Sequence, residues 1–517
     1  MEDPKMYRLE TTVESAGSPV DAYTTPFGIR SVRFDVEKGF FLNDKPVKLK
    51  GTCNHQDHAG VGAALPDRLQ YYRVERLKDM GSNAYRTSHN PPTPELVDAC
   101  DQLGMMMMCE TRLMDSTPEA LSQLERMVRC HRNHPSIVIW SVGNEEPEQG
   151  TERGARIEAT MKRVVKANDD SRLITQAMNY GWGGKGATKV QDVQGFNYSE
   201  GKIDAFHKDW PALPIVGTET ASTVSTRGIY FNDKEKGYVR AYDLEHPPWA
   251  QLAEFWWKFY DSRPFLSGGF AWTGFDYRGE PTPYSWPCIN SHFGIMDMCG
   301  FPKDNFFYYQ AWWGAKPVLH LFPHWNWEGK EGQEIEVWVH SNLDRVELLV
   351  NGQSQGVQDV TRNTHLMWKV KYSPGSIEAR GFKGSEMVLT AKRETCGPAA
   401  RIVLRADREQ LVANGEDLAV ITAAIQDAQG REVAIADSPL TFRVEGGGKL
   451  IGLGNGDPSC HELDTADSRR AFNGLCQAII QTSKTADKIR VEASSPGLQP
   501  GTVSLTSGTV TLRPSVP

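Results

Sequence analysis

The chain has 517 residues, a net charge of -8, and 39% hydrophobic and 24% charged residues. That length exceeds a single hydrophobic core, so two to four domains are expected, with the composition of a globular protein. The acidic balance and the lack of a long basic run argue against nucleic acid as a partner, and no apolar run reaches the length of a membrane-spanning helix. Met1 is followed by Glu2-Asp3-Pro4-Lys5, which is not a secretory leader; the chain as it stands reads as cytoplasmic, or as periplasmic or secreted if a segment precedes it. Nine scattered cysteines without a CxxC pair argue against a disulfide framework or a zinc site.

In chain order, residues 6–13 alternate like a strand, and 28–34 continue that pattern after Pro/Gly punctuation. Residues 40–46 read as a hairpin turning at Asn43-Asp44. From 46 to about 315, short apolar runs alternate with helical patterns. Strands are expected at 47–53, 84–88, 105–110, 137–143, 173–177, 193–197, 214–219 and 268–273. Helices are expected at 67–80, 93–103, 117–132 and 153–168, the second capped by Thr93 with Pro94 at its first position.

Eight strands interleaved with helices over this length predict a (β/α)8 TIM barrel. A doubly wound sheet would carry a Gly-rich loop after its first strand; here stands the polar stretch Asn54-His55-Gln56-Asp57-His58. Beyond 318 helical patterns stop. Strand patterns at 334–340, 345–350, 387–391, 400–406, 419–426 and 488–493 predict two immunoglobulin-like β-sandwiches, linked through Gly397-Pro398. The expected division is 1–38, the remnant of an immunoglobulin-like sandwich; 39–317, the barrel; 318–396, a sandwich; and 397–517, a second sandwich.

A barrel carries its chemistry where strands end, at the C-terminal face. The fourth strand delivers Asn144-Glu145-Glu146 there, and the seventh delivers Glu219. A lone glutamate at a strand end is as readily a structural ion pair. Two on one barrel are what glycosidic cleavage needs, one as proton donor and one as nucleophile or base. Their mutual repulsion should raise one pKa and so keep a proton available near neutral pH. Other strand ends offer Asn54, His55, Asp57, His58, Arg86, His89, Asn90, Glu110, Arg112, Asn179, Tyr180, Trp182, Asn197, Tyr198, Trp272, Phe275 and Asp276. Such hydrogen-bonding groups and aromatics suit sugar hydroxyls and ring faces, though each histidine could equally be structural. No HExxH and no GxSxG occurs, so no metal and no serine esterase is expected.

Three stretches carry a resemblance: Gly143-Asn144-Glu145, Arg86-Thr87-Ser88-His89-Asn90-Pro91, and Phe27-Gly28-Ile29-Arg30 leading to Gly39-Phe40-Phe41-Leu42-Asn43. The chain resembles glycoside hydrolase family two, and within it bacterial β-galactosidases. The resemblance implies a retaining exo-enzyme acting on terminal β-D-galactosides of small-molecule or oligosaccharide substrates, without a cofactor, and is compatible with homo-oligomerisation. It implies Glu145 as acid/base, with Glu146 a lesser alternative, and Glu219 as nucleophile. It implies Asn144 on the sugar 2-hydroxyl, Tyr198 and Arg86 on the nucleophile, and His89, Trp272 and Asp57 gripping the sugar. Asn197 and Trp182 complete the expected substrate-binding set.

The resemblance also implies that the chain opens within the last strands of a sandwich, without the family's jelly roll. Thr220-Ala221-Ser222 departs from the Tyr-containing stretch that follows the nucleophile in other branches. Glucuronidases of the family hold the sugar carboxylate with an Asn-x-Lys pair; the comparable stretch here, Gly300-Phe301-Pro302-Lys303, lacks the Asn. A β-glucuronidase or an α-L-arabinopyranosidase is the alternative enzyme, and a catalytically weakened carbohydrate-binding protein the alternative class.

Overall fold

The computed structural model describes residues 3–512. The chain packs as two compact units. The first holds the described residues up to His55, with Gln70–Ser222 and Pro248–Gly274; the second holds Gln56–Leu69, Thr223–Pro247 and the described residues from Phe275 on.

The first unit opens with an antiparallel hairpin, β1 (Tyr7–Ser15) and β2 (Ser18–Phe27), turning at Ala16-Gly17. This corrects the expected continuation at 28–34, where only β3 (Val32–Asp35) is a strand. Pro19 and Pro26 disguise β2 in the sequence, and a two-stranded ribbon tolerates them because both its strands are edges. The hairpin read at 40–46 forms: β4 (Gly39–Leu42) pairs with β5 (Lys45–Pro46), and Asn43 and Asp44 take φ of 49° and 61°. Positive φ at both central residues is what a two-residue hairpin turn requires.

Eight parallel strands follow: β6 (Leu49–Cys53), β7 (Ala84–Arg86), β8 (Met106–Glu110), β9 (Ile137–Asn144), β10 (Leu173–Ala177), β11 (Gln194–Asn197), β12 (Ile215–Ala221) and β13 (Leu266–Trp272). They pair in the order β10-β9-β8-β7-β6-β13-β12-β11. Val193 N to Ile174 O (3.1 Å) and Asn197 N to Met178 O (2.7 Å) tie the two end strands, so the barrel nearly closes. All eight residues of β9 are buried, as a strand covered on both faces must be, which explains its unbroken apolar run. The helices are α1 (Asp67–Asp79), α2 (Pro94–Leu103), α3 (Pro118–His131), α4 (Glu152–Asn168), α5 (Ile203–Asp209), α6 (Ala253–Asp261) and α7 (Asp304–Trp313). Thr93, Thr117 and Thr151 cap α2, α3 and α4 by accepting from Leu96, Ala120 and Gly154 N–H, each satisfying an otherwise orphaned donor.

The second unit contains two sandwiches. A three-stranded sheet (Leu319–Phe322, Glu334–Ser341, Leu366–Lys371) faces a four-stranded one (Gln353–Asp359, Arg345–Val350, Ser376–Lys383, Glu386–Glu394). Val337, Val339 and Trp368 meet Val346, Leu348 and Ile377 in their shared core. The other sandwich packs Ile402, Ile421 and Ile480 against Phe442, Val491 and Leu505. Leu366–Lys371 alternates strictly buried and exposed, the pattern of a sheet with one wet face.

Candidate active site

The first unit gathers most of the expected site around one guanidinium. Arg86, at the end of β7, is fully buried. Its Nη1 donates to Glu219 Oε2 (3.0 Å) and Thr218 O (2.9 Å), its Nε to Glu110 Oε2 (2.8 Å), and its Nη2 to Asn144 Oδ1 (2.7 Å). A planar fork with five donors can serve several strand ends at once, which an ammonium on a flexible stem could not.

Asn197, at the end of β11, is the second hub. Its Nδ2 lies 2.9 Å from Glu145 Oε1, 3.4 Å from Glu219 Oε2 and 3.1 Å from Asn144 Oδ1, while its Oδ1 accepts from Thr218 Oγ1 at 2.7 Å. One amide nitrogen therefore reaches both carboxylates. Asn144 Oδ1 accepts from Arg86 and Asn197, which orients its amide so that Nδ2 is left to donate elsewhere.

Glu219 Oε1 accepts from the Tyr198 hydroxyl at 2.8 Å, and Ser222 Oγ lies 2.6 Å from that same hydroxyl. With Tyr198 donating to Glu219, Ser222 donates to Tyr198. Ser222 was noted in the sequence only as part of a departure, and its function as a support depends on where the chain turns after β12. The strand ends are strained where these groups sit. Glu145, Tyr198, Ala221 and Ser222 take φ of 54°, 57°, 62° and 70°, in the left-handed region that costs a non-glycine residue roughly 1–2 kcal/mol. Glu145 N–H donates to Ala177 O at 2.8 Å and pins the first of these. Such outliers persist where the surroundings over-determine them, as here, and they cluster at functional sites.

An aromatic wall stands beside the carboxylates. Trp272 stacks on His89 with centroids 5.2 Å apart, and His55 meets both rings edge-on at 5.4 and 5.9 Å. Burial, with help from His89 and nearby arginines, pushes the His55 pKa down to about 3, so it is neutral in ordinary working conditions. Burial raises the Glu219 carboxyl above its usual value, Arg86 opposes this, and the Glu145 charge adds to it. The raised carboxyl is Glu219, the more deeply buried of the two, and burial rather than repulsion is the larger cause. The expected link between a raised carboxyl and the proton donor does not carry over, since the resemblance makes Glu219 the nucleophile. Glu110 goes the other way: burial pulls it up, but Arg86, His89 and Ser141 outweigh that and hold it below the usual range.

Two expected residues have other surroundings. Trp182 stacks on Phe196 at 5.0 Å, with Lys202 Nζ 5.0 Å over its ring. Asp57 belongs to the second unit, where its Oδ2 accepts from Arg278 N at 2.8 Å. In that unit Lys303 is also buried; its Nζ donates to Ser225 O (2.7 Å), Asp276 Oδ1 (3.0 Å) and His292 O (3.1 Å), which uses all three ammonium protons. Among the described residues, Asp98, Asp101 and His134 could approach a shared metal ion; Asp101 there accepts from His134 Nδ1 (2.7 Å) and Ser136 N (2.9 Å), as a brace between segments.

Residues 34–119 and 114–230 match the TIM barrel domain of glycosyl hydrolases family 2, and 402–504 match a C-terminal domain of that family. Residues 332–389 match a domain of unknown function. The chain is 35% identical to the beta-galactosidase BoGH2A of Bacteroides ovatus, over 98% of this chain and 67% of that protein. It is 26% identical to a beta-glucuronidase of Formosa agariphila, over 98% of this chain and 52% of that one. Among solved structures, a beta-glycosidase from Bacteroides vulgatus superposes with a TM-score of 0.87 at 31% identity, covering 97% of this chain and 69% of the other. The chain thus spans from about half to two thirds of the length of these relatives. The barrel match, the C-terminal-domain match and the similarity over 98% of this chain agree: the chain belongs to glycoside hydrolase family 2.

Proposed function

We propose that this chain is a retaining glycosidase acting on terminal β-D-galactosides. The observation that carries the mechanism is the single Asn197 nitrogen within 3.4 Å of an oxygen of both carboxylates. That closeness suits the about 5–5.5 Å spacing of a nucleophile and an acid/base better than the roughly 6.5–9.5 Å that an inverting enzyme opens for water. Glu219, ionised against Arg86 and Tyr198, attacks the anomeric carbon; Glu145 gives its proton to the leaving oxygen. Water, deprotonated by Glu145, then cleaves the glycosyl-enzyme. Asn144 Nδ2 donates to the 2-hydroxyl, and His89 and Trp272 form the wall against which the sugar lies. Asp57 and Trp182 remain proposed contacts for the sugar, and Asn197 holds the pair in register.

A galactoside is favoured over a glucuronide because Lys303 is already committed to three acceptors and cannot also serve a sugar carboxylate. A panel of aryl β-glycosides differing only in the sugar tests this: the β-D-galactoside should turn over fastest, and faster turnover of the glucuronide would reverse the assignment. Azide separates the roles of the carboxylates. With Glu145→Ala it should yield a β-galactosyl azide, and with Glu219→Ala the α-anomer; the same anomer from both would sink the division of roles.

A further inference from the structure

Glu110 has no part in the mechanism above, yet it is fully buried and both its oxygens accept. Oε2 takes Arg86 Nε (2.8 Å), Arg86 Nη2 (2.7 Å) and Ser141 Oγ (2.7 Å); Oε1 takes His89 Nδ1 (2.8 Å). Thr87 Oγ1 accepts from the Glu110 N–H at 2.9 Å and fixes the residue from behind. Glu110 is therefore joined to the guanidinium that grips Glu219 and to the imidazole that stacks on Trp272.

We infer that Glu110 is a positioning residue with two separate effects: it sets the proton on His89 Nδ1, and it divides the Arg86 charge between itself and Glu219. An ionised carboxylate only accepts, so the nitrogen facing it must carry hydrogen. In the neutral imidazole this leaves Nε2 as an acceptor for a sugar hydroxyl, and the second-nearest group, Arg86 Nη2 at 3.4 Å, is too distant to reverse the choice. On the other side, a second carboxylate on Arg86 keeps the guanidinium from stabilising the Glu219 anion alone. Glu219 thereby stays the better nucleophile while still ionising.

The inference rests on Glu219 being the nucleophile, so its test includes a readout that needs no turnover. Nitrogen-15 spectra of the imidazoles should show hydrogen on Nδ1 of His89 in the unaltered protein. In Glu110→Gln that preference should be lost. On the best aryl glycoside, Glu110→Gln should lower kcat/KM by roughly 10–100-fold, the loss of hydrogen bonds to charged groups, with KM raised as well as kcat lowered. Its acid limb should move to lower pH, because Arg86 then serves Glu219 alone. Glu110→Asp, which keeps the charge, should restore the limb in part. A merely structural Glu110 would lower activity and leave the limb where it was. An unchanged limb and an unchanged His89 tautomer in Glu110→Gln would overturn the inference, as would hydrogen on Nε2 alone in the unaltered protein should that variant fail to fold. If no aryl glycoside turns over at all, the proposed function fails, and the tautomer still decides the role of Glu110.

Discussion

The strand ends around Arg86 and the β1–β2 hairpin are both built from β-strands, parallel in the first and antiparallel in the second, and differ in what each side chain depends on. Around Arg86 the polar groups are buried, and each is held by two or more others from different strands. In the hairpin every residue of β1 is exposed; Leu9 of β1 and Tyr23 of β2 are 56% and 71% exposed. Its register places Tyr7, Leu9 and Val13 on one face with Tyr23 and the half-buried Phe27, beside Thr11, Asp21 and Thr25, a largely apolar face that is mostly exposed. Burial makes a group indispensable because water cannot replace its partners; exposure makes even an aromatic residue dispensable to stability.

The strongest way to break this contrast is at Arg86. Arg86→Ala leaves Glu110 and Glu219 as uncompensated buried charges, which should cost about 3–5 kcal/mol in chemical denaturation and abolish measurable turnover. Retained activity with a small stability loss would show that the network is not coupled. Next comes Tyr198→Phe, which removes one hydrogen bond to a charged group; kcat/KM should fall by roughly 10–100-fold in steady-state assays. Ser222→Ala acts through Tyr198 and should have a smaller effect on the same measurement. A larger loss in Ser222→Ala than in Tyr198→Phe would reverse that order.

A pH series sharpens the comparison without a mutation. Because Glu219 is raised in the folded protein, its reactive anion is lost as pH falls through a value above the usual 4.5, and the acid limb of kcat/KM should lie there. The stability signs of the two carboxyls differ. Protonating Glu219 in acid relieves its burial and favours the folded state. Glu110, with its folded pKa depressed, contributes stability that is full above its unfolded pKa and lost as pH falls through the lower folded value. The smallest effect is expected in the hairpin: Leu9→Ser and Tyr23→Ser should each change unfolding stability by no more than about 0.5 kcal/mol. A larger cost in thermal melts would mean that this apolar face is covered in solution.

The barrel was legible because strands buried on both faces must be apolar runs, and because caps such as Thr93-Pro94 mark helix starts. The hairpin was half legible. The alternation of β1 shows, but Pro19 and Pro26 conceal β2, since only an edge position makes them tolerable. Of the candidate site, Glu145 and Glu219 could be named from sequence only as a pair, because one carboxylate ending an apolar strand is as readily an ion-pair partner, as Glu110 at the end of β8 is. Ser222 could not, because its meeting with the Tyr198 hydroxyl needs the left-handed turn after β12. Nor could the commitment of Lys303, which depends on the carbonyls of Ser225 and His292, 78 and 11 positions away along the chain.

Sequence alone therefore determined the alternation of strands and helices, the sandwiches after residue 318, and the two glutamates at strand ends, because periodicity and local chemistry are properties of neighbouring residues. Tertiary structure alone decided which carboxyl is raised, which amide faces both glutamates and what Glu110 holds. Those depend on burial and on distances between residues from 21 to 133 positions apart, which no local pattern records.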